Sequence, residues 1–149
     1  VLAPTIEFLT QRGIPVMAHI GLTPQAVNAL GGYGARGRSQ EEHAKIISDG
    51  KAVQEAGAFA VVVEGVVEPI AVSLTQSLEI PVIGIGASAH CDGQVLVVDD
   101  MLGMFERVPR FVKKYGNLAE EITDKVQQYA SEVRARSFPT EDQTYQPKS

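Results

Sequence analysis

The chain has 149 residues, 44% of them apolar and 21% charged, and its formal net charge is −5. That balance fits a globular domain and excludes a disordered acidic tail or a collagen-like repeat. No apolar run is long enough to cross a bilayer, residues 1–8 lack a basic leader, the lone Cys91 fits a reducing, cytoplasmic setting, and the acidic surplus argues against nucleic acid as a partner.

Four short runs, at 15–20, 59–63, 81–85 and 94–98, are rich in Val and Ile and bounded by Gly or Pro. They do not alternate with polar residues. Strands buried on both faces read this way, which predicts a parallel sheet covered by helices. After the first run, Thr23-Pro24 reads as an N-cap followed by a first helical residue. Ser39 with Glu42 forms a capping box that opens a helix near Gln40. Ile46, Ile47, Val53 and Ala56 share its buried side, and Gly57 stops it. Pro69 suits a first helical position, with Ile70, Leu74 and Leu78 recurring every four residues. A longer helix follows Asn117, where Leu118, Ile122, Val126, Tyr129 and Val133 form one stripe. Residues 138–149 turn polar and read as a tail, leaving 1–137 as the folded part. Strands alternating with helices imply right-handed βαβ units. A closed eight-stranded barrel needs about 250 residues, so the chain suits a small open sheet or half of a barrel.

Several residues fall where such folds place their chemistry, at the C-terminal strand ends. Glu64 ends the run Val61-Val62-Val63. A carboxylate there is costly to bury unless paired or functional, and a desolvated one can serve as a general base. The plainer reading is that the strand stops at Val63 and Glu64 is solvated. His19 holds the comparable place on the first strand, as a contact for a carbonyl or carboxylate or as a core histidine. His43, beside Glu41 and Glu42, reads as solvated surface. Residues 31–38, with four glycines and with Arg36 and Arg38, could form a basic lid over an anionic substrate. Residues 84–89 match G-x-G-x-x-A, but a turn at 91–93 and another strand run follow instead of a helix, which argues against a dinucleotide site. His90-Cys91-Asp92 lacks metal-ligand spacing. Asp99-Asp100 reads as a cap or turn before it reads as a cation site.

The ordered set is specific where its members are not. Residues 13–25, Gly31-Gly32-Tyr33, Gly37-Arg38, Glu64, Ile80-Pro81-Val82-Ile83-Gly84-Ile85-Gly86-Ala87 and Cys91-Asp92-Gly93-Gln94-Val95-Leu96-Val97 together closely resemble the ketopantoate hydroxymethyltransferase family. The chain departs from that pattern at Gly34, at Asp99 and over 87–90. The resemblance implies an α/β fold of the (β/α)8 TIM-barrel family, with residues 1–137 covering about its second half, strands five to eight. It implies transfer of a hydroxymethyl group from 5,10-methylenetetrahydrofolate to 3-methyl-2-oxobutanoate, giving ketopantoate for coenzyme A biosynthesis. It makes Glu64 the general base and His19 a substrate or product contact, and Arg36 and Arg38 are candidates for the folate's acidic tail. Mg2+ is the implied cofactor, with its ligands on an N-terminal half outside this chain. That half is an implied partner, and a homodecamer is the implied assembly. Two other readings remain: a non-catalytic half-barrel module for binding or assembly, and a metal-dependent lyase acting on another keto acid.

Overall fold

The computed structural model describes residues 2–23 and 35–147. The chain divides into two compact units, Val1–Leu96 and Val97–Ser149. The first carries α1 (Ala3–Thr10), β1 (Met17–Gly21), α2 (Gln40–Glu55), β2 (Ala60–Glu64), α3 (Glu68–Ser77), β3 (Val82–Ile85) and β4 (Gly93–Gln94). The second carries the short α4 (Val98–Met101), α5 (Leu118–Arg134) and a 3-10 turn, Glu141–Gln143. The four strands form one sheet in the order β1-β2-β3-β4, every pair parallel.

Helix α2 follows from local chemistry at both ends. The Ser39 hydroxyl accepts the Glu42 N–H at 3.1 Å. At the other end Gly57 adopts φ +90. Its N–H bonds the Gln54 carbonyl and the Ala58 N–H bonds the Val53 carbonyl, a Schellman closure that a residue with a Cβ would strain. The Thr10 hydroxyl of α1 donates to the Ala56 carbonyl at 2.8 Å, satisfying an end group that helix geometry leaves open. Helix α1 was not anticipated from the sequence, although Pro4 in its first turn is a start signal. Helix α3 opens one residue before Pro69, so that proline stands second and costs no hydrogen bond.

Strand alternation sorts the sheet into two faces. Ala18, Ile20, Val61, Val63 and Val82 are buried and pack with Ile46 and Val53 of α2 and Ile70, Ala71 and Leu74 of α3. Met17, His19, Val62 and Ile83 occupy the other face and keep partial or full exposure. The expectation of burial on both faces therefore holds for the helix side alone. Beside β1, at one edge of the sheet, runs a groove of about 590 Å³ whose lining includes Leu2, Ile6, Leu9, Val16, Ile46 and Val53.

The fourth strand is shorter than its apolar run. It pairs only as Ile83↔Gly93 and Gly84↔Gln94, extended by Val95 N–H to the Gly84 carbonyl. Strand β3 ends at Ile85 and Gly86 turns away at φ +60, so residues 96–98 meet no partner strand. Val98 instead opens α4, whose first turn holds Asp99 and Asp100 where the helix dipole favours negative charge. In the second unit, α5 forms as its stripe predicts, with Ile122, Val126, Tyr129 and Val133 each at least 43% exposed. Tyr129 meets Phe138 edge-to-face, their ring centroids 5.4 Å apart.

Candidate active site

The parallel register sets His19 opposite Val62 and Gly21 opposite Glu64. His19 and Glu64 thus point to the same, open face, one pleat apart. Gly21 places no side chain between them. The imidazole Nε2 lies 3.1 Å from the Glu64 Oε2, with the side chains 34% and 14% exposed. The pair is a close polar contact between an imidazole nitrogen and a carboxylate oxygen. The two residues that sequence reasoning singled out separately form one dyad at neighbouring strand ends.

The main chain around Glu64 is held on both sides. The Leu22 N–H donates to the Glu64 carbonyl at 2.8 Å, and the Gly65 N–H donates to the Ile85 carbonyl at 2.9 Å. Gly65 itself takes φ +58. Arg36 continues the edge line that β1 leaves at Leu22: its N–H reaches the Gly65 carbonyl at 2.7 Å, and its own carbonyl accepts the Val67 N–H at 2.9 Å.

Sequence reasoning missed the role of Glu42. A capping box would return its carboxylate to the Ser39 N–H. Here Oε2 accepts the N–H groups of both Gly37 and Arg38 at 3.0 Å, and Oε1 accepts Arg36 Nη1 at 3.3 Å. The Arg38 N–H does most to hold the Glu42 carboxyl below the usual carboxylate range. Desolvation opposes it, and the Gly37 N–H and the Arg36 guanidinium add to it. The Arg36 side chain is 17% exposed and engaged with Glu42. Arg38 is exposed. Pro24 of the expected N-cap pair and Gly31 to Gly34 of the expected lid lie outside the described residues.

The remaining candidates lie in the turns before β4 and on the surface of α2. Residues 86–92 form turns and bends that lead into β4, with no helix after the glycines. His90 is exposed and Cys91 is buried. The Asp92 Oδ2 accepts the Val82 N–H at 2.8 Å, pinning the turn to the start of β3. His43 is exposed on α2. Among the described residues no three His, Cys, Asp or Glu side chains gather as a metal site. No helix among the described residues is long and apolar enough to cross a membrane.

A parallel sheet with helices packed on one face and an acid–imidazole pair at its C-terminal strand ends defines an α/β protein of the kind that places its site at that rim. Residues 1–141 match the family model described as ketopantoate hydroxymethyltransferase. The chain is 68% identical over 145 residues to a 3-methyl-2-oxobutanoate hydroxymethyltransferase of Sphingopyxis alaskensis, covering 97% of this chain and 50% of that protein. It is 67% identical to one of Erythrobacter litoralis, covering 99% of this chain and 51% of that protein. It is 56% identical to one of Bartonella quintana, covering 99% and 54%. The chain belongs to the ketopantoate hydroxymethyltransferase family, and its fold is of the (β/α)8 class that this family has. It spans about half the length of the curated relatives it matches.

Proposed function

We propose that the chain is the C-terminal half of an enzyme that transfers a hydroxymethyl group from 5,10-methylenetetrahydrofolate to 3-methyl-2-oxobutanoate, yielding ketopantoate. The carrying observation is the His19–Glu64 dyad on the open sheet face of a chain that belongs to this family. The proton on C3 of the keto acid is acidified by the adjacent keto group. The Glu64 carboxylate removes it as general base. The imidazole of His19, with Nε2 3.1 Å from Oε2, holds the orientation of the carboxylate and leaves Oε1 for the substrate proton. The resulting enolate carbon then bonds to the one-carbon unit while water supplies its hydroxyl oxygen, both C–N bonds of the methylene bridge break, and tetrahydrofolate leaves with the two freed nitrogens protonated. His19 also serves as a contact for a substrate or product oxygen. Of the two arginines, the exposed Arg38 serves the acidic tail of the folate, while the Arg36 guanidinium is engaged with Glu42.

Magnesium, when bound, would supply Lewis-acid stabilisation of the enolate. Its ligands belong to the segment outside this chain, and no step above is routed through it. The barrel half runs over residues 1–137, with 138–149 as a polar tail. The other half is the partner that covers Met17, Val62 and Ile83 and occupies the groove beside β1, because open strand edges invite pairing. By itself the chain is inactive. The setting is the cytoplasm and the assembly a homodecamer.

The test uses a full-length chimera in which this chain replaces the matching stretch of the Sphingopyxis alaskensis relative. Glu64→Gln is expected to slow deuterium exchange at C3 of the keto acid by about 100-fold or more, the scale of a lost general base. Exchange at the unsubstituted rate would remove Glu64 from the base role.

A further inference from the structure

The line of residues paired along one side of β2 is broken and then resumed. Leu22 donates to the Glu64 carbonyl, and the next carbonyl, that of Gly65, is taken by Arg36. The two donors, Leu22 and Arg36, thus pair with β2 within one residue of the carboxylate-bearing position. What fixes the return point is not the ladder alone. Gly37, at φ +87, is wedged where a Cβ would lie 2.6 Å from Ile70 Cδ1 and 3.2 Å from Val67 Cγ2. On its far side the amides of Gly37 and Arg38 converge on one Glu42 oxygen, and the Arg36 guanidinium takes the other. Two successive main-chain N–H groups form a concavity suited to an anion, and here α2 supplies that anion from its own first turn.

We propose that Glu42 is a positioning residue for the Glu64 site. Its carboxylate locks Arg36-Gly37-Arg38 against the rim of β2, and through the Arg36 N–H to Gly65 carbonyl bond it fixes the main chain directly after Glu64. Charge-assisted bonds to main-chain amides are short and directional, which suits a clamp. Without the carboxylate the buried Gly37 N–H loses its acceptor and Arg36 loses one of its side-chain partners. The Arg36 N–H to Gly65 carbonyl bond then keeps the β2 ladder but not the clamp on the Arg36 side chain and the downstream amides. A glutamine keeps an acceptor oxygen for the amides but loses the charge that Arg36 meets.

The inference rests on the general-base reading of Glu64, and the experiment separates the two. In the chimera, Glu42→Ala is expected to lower the maximal rate of C3 exchange about tenfold, as small misplacements of a reacting group do, while the KM for the keto acid moves less than about threefold. Glu42→Gln is expected to recover most of that rate. The Arg36 amide should exchange with solvent about tenfold faster in Glu42→Ala, the mark of local opening. An unchanged maximal rate in Glu42→Ala, alongside a slowed Glu64→Gln, overturns the positioning role. If Glu64→Gln exchanges at full rate the base reading falls instead, and Glu42 is judged on the Arg36 amide, whose unchanged protection would overturn the clamp. Should Glu42→Ala fail to fold, Glu42→Gln decides: wild-type rate with slower Arg36 amide opening than in a Glu42→Asp variant supports the clamp, and equal opening in both overturns it.

Discussion

Gly21 faces Glu64 across the β1–β2 ladder and takes φ +87. A Cβ added there would overlap the Glu64 carbonyl oxygen and lie 2.7 Å from Val66 Cγ2. Gly13 is the natural control, with φ +75 and nothing within 4 Å of the corresponding position. Gly13→Ala therefore measures the left-handed backbone alone. That strain costs about 1–2 kcal/mol, and the stiffer unfolded chain offsets about 0.4–1 kcal/mol of it, so a net loss of about 1 kcal/mol is expected. Gly21→Ala carries the same backbone term and two more. Overpacking against a main-chain oxygen and a fully buried valine costs about 1–3 kcal/mol. Displacing the Glu64 carbonyl weakens the Leu22 N–H bond, worth about 1 kcal/mol. The expected loss is about 4 kcal/mol, read as the shift in urea midpoint multiplied by the slope, with the slope unchanged. The clashing oxygen is Glu64's own, so C3 exchange should fall with it. If Gly21→Ala and Gly13→Ala destabilise the chimera equally, the β1–β2 rim is not packed as the register requires and the derivation of the site fails with it.

Other expectations follow from the same packing. Leu74 of α3 is fully buried in the shared core, so Leu74→Ala should cost about 3–4 kcal/mol in chemical denaturation. A methyl at Gly50 would lie 2.5 Å from Leu74 Cδ1. Gly50→Ala should therefore destabilise alone yet partly rescue Leu74→Ala, and strictly additive losses would contradict the contact. The Glu42 carboxyl is held below its ordinary range, chiefly by the Arg38 N–H. Its contribution to stability is complete above the ordinary carboxylate value and is lost as pH falls through the lowered one. Urea midpoints of the unsubstituted protein and Glu42→Gln should converge in acid and separate toward neutrality, and a gap constant with pH would refute the assignment.

What the sequence made legible was local. The run Val61-Val62-Val63 ending in Glu64 reads directly as a strand with a carboxylate at its rim, and the structure ends β2 at that residue. The Ser39 cap and the Gly57 stop bracket α2 because each depends on chemistry within a turn of itself. The ordered motifs carried the family, which the relatives show. The strand expected at 94–98 failed because valine-rich composition does not supply a partner: pairing depends on where β3 ends, and Gly86 ends it early. The same limit hid the role of Glu42. The spacing of Ser39 and Glu42 announces a capping box, yet where the acid's side chain goes depends on the path of Gly37, which the wedge under Ile70 sets. The His19–Glu64 contact depends on register between strands forty residues apart, and no local pattern encodes that.

That register is nevertheless enforced by the same residues that make the site. Slide β2 by one position and Val61 and Val63 leave the helix-covered core for the open face. Glu64 would then enter a core of Ile20, Ile70 and Leu74 with no cation and no imidazole beside it, at the cost of an unpaired buried charge. Apolar burial and carboxylate placement thus favour one alignment, and the alignment they favour brings Glu64 within 3.1 Å of His19. Stability and chemistry divide the strand between its two faces: alternate valines anchor it to α2 and α3, and the residues between them lead to the acid at the rim. The open face can therefore vary in what covers it while the dyad stays fixed, because the dyad's geometry is held from behind by the core and from the side by Leu22 and Arg36.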